Sequence, residues 1–374
     1  MSAGLNPFVY DDPLPPGDLV DREAECTQLF ELAEGGHNTR LQAPRRYGKT
    51  TLLGKVQADA DRVGLHTVYV DFYRALTLAE VARRIEDAYL KGLAGPSRRA
   101  VAAVARRWRG KLVATPGGVG AEAESVRQSA QQRLSDMLDL PVRVFESSGI
   151  RTLVVFDEFQ DLLRIDSDVD GLLRSKIQFH RDEASYIFAG SEPGMLAELF
   201  NSRDRPLFEQ ARPIELGPLA DDDLSDYIGK RFERSKRDPG EALDELLTLV
   251  RGHPQRAMLA AHHLWEQTPA GETADAETFT RVLEALDRET GERFERTWDL
   301  LSDKPNQRKV LAALASSDDT LYGKRTLERF GLERGSARAA ATALVNRGEV
   351  QRVVPSGFRI VDPLLERWLV QTQT

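Results

Sequence analysis

The chain has 374 residues, 41% apolar and 29% charged, which suits two or three cored domains and excludes wholesale disorder. Its formal charge is −8, from 51 basic and 59 acidic residues, so it is no uniformly basic nucleic-acid coat, though one basic domain fits inside that total. The single cysteine, Cys26, excludes a disulfide framework and a cysteine zinc cluster and points to a reducing compartment. No apolar run nears the ~18 residues of a membrane span, and residues 1–10 carry no basic-then-apolar leader. The expectation is a soluble, cytoplasmic protein with no membrane contact.

Residues 1–22 are rich in Pro, Asp and Gly and read as an extended arm. Leu29, Phe30 and Leu32 predict a helix over 22–34, stopped by Gly35 and Gly36. A short strand over 39–43 and a helix from Lys49 follow, the helix bearing Leu52, Leu53 and Val56. Residues 66–72 form a second strand and lead into a helix ending near Leu93. Residues 94–124, Arg-rich and then Gly-rich, read as an insertion. A helix over 124–145 breaks near Pro141. Strands are expected at 152–156, 185–189 and 213–216. Strands alternating with helices predict a three-layer α/β domain with a parallel sheet over 1–220. Helices alone fill 221–303. Residues 304–374 read as helices at 307–315, 324–330 and 336–347, then a hairpin of 349–355 and 357–361 turning at Pro355-Ser356-Gly357: a winged helix-turn-helix.

The sharpest chemical signal is the run from Ala43 through Pro44, Arg45, Arg46, Tyr47, Gly48, Lys49 and Thr50 to Thr51. Gly-Lys-Thr between a strand and a helix is the P-loop pattern. Its backbone N–H groups and the helix N-terminus favour a phosphate, Lys49 adds a point charge, and the Thr50 hydroxyl suits Mg²⁺. Ala43 stands where the pattern has its first glycine. The second signal is an apolar strand ending in Asp157-Glu158. Magnesium at a phosphate needs a hard oxygen partner, the role for Asp157, and a hydrolytic water needs a base or orienting group, the role for Glu158.

Together these residues resemble AAA+ ATPases, and within them the signal-transduction (STAND) and archaeal-type ATPases with an origin-recognition-like core. Asn6-Pro7-Phe8 and Leu19-Val20-Asp21-Arg22-Glu23 resemble the stretch packing on adenine, Phe188-Ala189-Gly190-Ser191 the sensor strand end, and Gly252-His253-Pro254 the helical lid. Phe358 to Pro363 and Trp368 resemble the end of the family's winged helix. The resemblance implies an ASCE sheet of order 5-1-4-3-2, a helical lid, and ATP with Mg²⁺ bound near Val20, Arg22 and Pro254. It implies that Ser191 and an arginine before the fifth strand, here Arg212, face the γ-phosphate, with His253 and Arg256 as further lid candidates. For Arg212 a strand-flanking charge, and for Ser191 a strand-end hydroxyl bonded to backbone, remain the plainer alternatives.

Residues 304–374 hold 12 basic and 7 acidic residues in an acidic chain, the footprint of a DNA-binding winged helix, although a protein-binding use fits equally. The stretch 98–111 fits nucleic acid stacked on Trp108, or a plain amphipathic helix with Val101, Val104 and Trp108 inward. Adjacent His262 and His263 point to different helix faces and do not chelate one metal. No Gly-x-Ser-x-Gly supports serine hydrolysis. The expectation is a slow Mg·ATP-dependent ATPase switch, with ATP and ADP, duplex DNA or a protein, and a nucleotide-dependent homo-oligomer as partners. The alternative is a DNA-binding regulator in which nucleotide is structural.

Overall fold

The computed structural model describes residues 5–109, 119–316, 320–353 and 357–373, with 107–109 and 119–127 as backbone only. The chain divides into two compact units: Glu23–Ala43 with Leu52–Leu216, and Met1–Arg22 with Pro44–Thr51 and Gly217–Thr374.

The first unit is built on a sheet. In chain order its elements are α1 (Glu23–Glu34), β1 (Thr39–Gln42), α2 (Lys49–Arg62, whose first turn belongs to the other unit), β2 (His66–Asp71), α3 (Leu78–Gly92), α4 (Gly95–Arg109), α5 (Val119–Leu138), α6 (Leu140–Ser148), β3 (Thr152–Asp157), α7 (Leu162–Ile165), α8 (Val169–Ile177), β4 (Ala184–Gly190), α9 (Pro193–Asn201) and β5 (Arg212–Glu215). All five strands run parallel in the order β2-β3-β4-β1-β5, the anticipated order read from the other edge. Every residue of β3 and β4 is buried, as expected of strands covered on both faces, and this explains their unbroken apolar runs. β5 is an edge strand with only Ile214 buried.

Local chemistry explains the breaks. Leucine 138 ends α5 and Leu140 begins α6, so Pro141 sits in the first turn of a new helix, where its missing N–H costs nothing. Gly149, at φ 69°, closes α6 with its N–H on the Phe145 carbonyl. Thr77 caps α3 by accepting from the Glu80 N–H, and the Glu80 carboxylate returns a bond to the Leu76 N–H. Residues 95–109 form a helix with Val101 and Ala105 buried and Ser97 bonded to His66 at 3.1 Å, so this Arg-rich stretch packs into the core of its unit. The Trp108 side chain and residues 110–118 lie outside the described residues.

The second unit is helical. The arm of residues 5–22 joins α10 (Asp221–Arg234), α11 (Ala242–Val250), α12 (Pro254–Gln267) and α13 (Ala276–Asp299). After them come α14 (Pro305–Ser316), α15 (Lys324–Phe330), α16 (Arg334–Asn346), the antiparallel pair β6 (Val350–Val353) and β7 (Gly357–Ile360), and α17 (Pro363–Thr372). Three helices and a two-stranded ribbon follow one another here in the expected chain order, and Pro355 and Ser356 of the turn lie outside the described residues. One apolar core runs through α10–α13 and on into α14, α16 and α17, from Phe8 and Phe232 to Leu344 and Trp368. The arm is therefore part of a core: Phe8 is buried with its ring 5.6 Å from that of Phe232. Among the described residues no helix is long and apolar enough to cross a membrane.

Candidate functional site

In the sheet unit the carboxyl ends of β2, β3 and β4 gather the chemistry. Register puts Asp71 beside Asp157. Tyr69, two residues earlier on the same face of β2, donates its hydroxyl to Asp157 Oδ2, and the Glu158 N–H donates to Asp157 Oδ1 at 2.9 Å. Glu158 holds a left-handed backbone at φ 50°, uncommon for a non-glycine residue and often found at functional sites. Its Oε2 accepts from Ser191 Oγ at 2.7 Å and from Gln160 Nε2 at 2.6 Å. Burial pushes the Asp71 carboxyl up, and the negative charges of Asp157 and Glu158 add to that rise. The same Asp157 charge reinforces burial in raising the Tyr69 hydroxyl, keeping it a donor. Such a concentration of like charge is one a divalent cation would relieve, so the donor set fits magnesium.

The second unit holds the loop of residues 44–51. Arg46 and Gly48 both take positive φ, 69° and 80°, and left-handed residues alternating with ordinary ones turn successive N–H groups into a concave anion nest. A Cβ on Gly48 would meet nothing within 4 Å, so the dihedral itself asks for glycine there. Ala43, entering the loop from the sheet unit, is not among the positive-φ residues, so alanine in place of the pattern's first glycine strains nothing. Lys49 opens α2 and Thr50 is exposed beside it. Tyr47 is buried, its ring edge-on to His253 at 5.0 Å. Burial pushes the Tyr47 hydroxyl up, while Arg359, Arg251 and Arg22 pull it back.

His253 is a cap. Its Nδ1 accepts from the Arg256 N–H at 3.4 Å, opening α12, and Pro254 takes the first helical position. Burial drives the His253 imidazole down to about 4, so it stays neutral. Arg256, the further lid candidate, is engaged inside this unit. It is 1% exposed and grips Asp362 through Nε at 2.9 Å and through Nη2. Val20 lies in the apolar core and Arg22 is buried with its guanidinium on the Gly217 carbonyl.

Arg212 opens β5. It pairs with Thr39 at the start of β1, level with Ile187 of β4 and Val155 of β3. Three strand spacings, about 14 Å, separate it from β3, and it lies on the exposed edge. The reach of an arginine does not bring it to the carboxylates of its own sheet. Tyr69 and Gln160 are the residues sequence reasoning missed. The alternation of β2 places Tyr69 with Asp71 on one face, a readable signal; Gln160, in a 3-10 turn after β3, has none. Among the described residues no group of three His, Cys, Asp or Glu side chains is arranged to hold a metal alone.

No protein-family model matches the chain, and no curated protein matches it by sequence. Solved structures do. A Walker-type ATPase of Pyrococcus abyssi superposes with a TM-score of 0.70 at 17% identity, covering 97% of this chain and 99% of its own. The ORC2 protein of Aeropyrum pernix, in its ADPNP and ADP complexes, gives 0.61 at 17% identity over 98% and 97%. Its ADP form gives 0.52 at 17% over 97% of each. The chain has the AAA+ P-loop ATPase fold. In that AAA+ frame the sheet order, the loop opening α2 and the carboxylates ending β3 occupy successive places along one chain, although sequence identity is low.

Proposed function

We propose that this AAA+ chain binds ATP with Mg²⁺ and hydrolyses it slowly, as a switch coupled to duplex DNA. The reading rests most on the ends of the parallel strands: the chain leaves the carboxyl end of β1 directly into the 44–51 nest, and Asp157, Glu158 and Ser191 cluster at the carboxyl ends of β3 and β4. Ligands of open parallel sheets bind at that edge. The ADPNP and ADP carried by the similar ORC2 protein support a nucleotide. Lys49 and the loop N–H groups would hold the phosphates, with Val20, Arg22 and Pro254 of the same unit toward the base. Asp157 and Thr50 would hold magnesium, which when bound supplies charge to the phosphate oxygens. Glu158 would orient the attacking water and take its proton, steadied by Ser191.

For the partner, α16 offers Arg334, Arg338 and Thr342 on one exposed face, with Gly335 and Ala339 between them. Long cations spaced a helical turn apart over small residues suit close approach to a phosphate backbone and groove. That face favours DNA over a protein partner, whose interface core is depleted of charge. Calorimetric titration of Mg·ATP into wild type and Lys49→Ala, with and without random duplex DNA, tests the reading. Loss of nucleotide binding in Lys49→Ala, with Glu158→Gln binding ATP but not turning it over, supports it. Equal affinity of wild type and Lys49→Ala sinks it. If Lys49→Ala lowers stability yet leaves DNA binding intact, nucleotide is structural and the chain is a DNA-binding regulator. Light scattering with and without nucleotide tests for the homo-oligomer.

A further inference from the structure

Glu158 is held by two donors from different elements. Ser191, just past β4, and Gln160, in the turn after β3, both converge on Oε2, at 2.7 and 2.6 Å. One hydroxyl fixes a distance but lets a carboxylate swing about the O–H···O axis. A second donor from another direction removes that freedom. Gln160 is itself immobilised: it is 1% exposed, and the aromatic core member Phe159 precedes it.

The fold makes room for this amide. A Cβ on Gly190 would lie 2.3 Å from Gln160 Oε1, so the last residue of β4 must be glycine for Gln160 to occupy its place. Among the described residues that Oε1 has no hydrogen-bond partner, and turning the amide over would set it against the Glu158 carboxylate. A neutral donor also suits the surroundings. Asp71 and Asp157 stand at the neighbouring strand ends, and Arg164 binds Asp161 at 3.0 Å and Glu192 at 2.6 Å. A second cation at position 160 would neutralise the carboxylate the site needs; an amide orients it without adding charge.

We propose that Gln160 is a positioning residue that, together with Ser191, fixes the orientation of the Glu158 carboxylate. The inference rests on the ATPase reading for its kinetic consequence, but not for its structural one. In Gln160→Met, nearly the same size without the donor, turnover of Mg·ATP is expected to fall on the order of tenfold or more, with KM and the Mg·ATP dissociation constant within about twofold. Gln160→Glu, the same size with a like charge, is expected to fall further. Turnover unchanged in both variants overturns the proposal, as does a loss that appears in binding rather than in turnover. Independently of nucleotide, the 13Cδ resonance of Glu158 in the free protein is expected to move in Gln160→Met and in Ser191→Ala. An unmoved resonance overturns the grip. A resonance that moves in both variants, beside a wild type that binds no Mg·ATP, upholds the grip and removes the ATPase reading alone.

Discussion

Replacing Asp362 by Asn isolates one buried charge pair. Asp362 accepts from both Nε and Nη2 of Arg256, lies 3.8 Å from Arg293, and caps α17 by accepting from the Leu364 and Leu365 N–H groups at 3.1 and 3.4 Å. Asparagine preserves the cap, being as good there as aspartate. It removes the negative charge facing a guanidinium that is 1% exposed. Breaking a buried pair and leaving one charge uncompensated costs about 3–5 kcal/mol. The remaining amide oxygen still accepts one bond from Arg256, so the low end, about 3 kcal/mol, is expected. Urea unfolding followed by tryptophan fluorescence measures it, since Trp265, Trp298 and Trp368 all belong to this unit. The acid dependence should change as well. Burial alone would raise the Asp362 carboxyl, but Arg256, joined by His253 and Arg293, brings the net direction downward. A depressed carboxyl stabilises fully above the ordinary carboxylate range and loses that contribution as pH falls through its folded value. The gap between wild type and Asp362→Asn should therefore close in acid. A loss under about 1 kcal/mol at neutral pH, or a gap indifferent to acid, refutes the reasoning.

Three further outcomes are expected. His253, driven by burial down to about 4, resists protonation in the folded state, so its contribution is whole above about pH 6.5 and drains away between there and 4. That loss, about 3 kcal/mol, should vanish in His253→Asn, as acid-induced shifts of the urea midpoint would reveal; parallel curves for the two proteins count against it. Gly190→Ala should lower stability by about 1–3 kcal/mol through its clash with Gln160; calorimetric melting that matches wild type shows the seat to be roomier. Cys26 is buried, and burial raises its thiol to about 11, so an aromatic disulfide reagent at pH 8 should label it only once denaturant is added.

The legible parts of this fold were those whose physics is local. Val154, Val155 and Phe156 declare a strand because both faces of β3 are covered, and Lys324 to Phe330 declare a helix by their spacing and by the closing Gly331. The weak strand Thr39–Gln42 could be placed only through the loop that follows it. Leu364, Leu365, Trp368 and Leu369 carry the helical period of α17, which the motif before it obscures. At the site, Asp157 and Glu158 were recognisable because they close an apolar strand, and Ser191 through the resemblance of the stretch that carries it. The engagement of Arg256 with a residue 106 positions away, and the seating of Gln160 against Gly190, depend on tertiary packing that no window of sequence contains. How far across the sheet Arg212 stands is likewise a matter of strand order, which its neighbours in the chain do not state.

The first residues of the chain invite trimming by anyone preparing an expression clone, since proline and aspartate look like a dispensable leader. Asn6 donates to the His262 carbonyl, His262 Nδ1 pairs with the Phe8 carbonyl at 2.9 Å, Gln255 donates to the Tyr10 carbonyl, and Arg231 binds Asp18 at 3.0 Å. Starting at Leu19 would pull a phenyl ring out of a helical core, open a hole of about one aromatic side chain, and strand polar partners along α12.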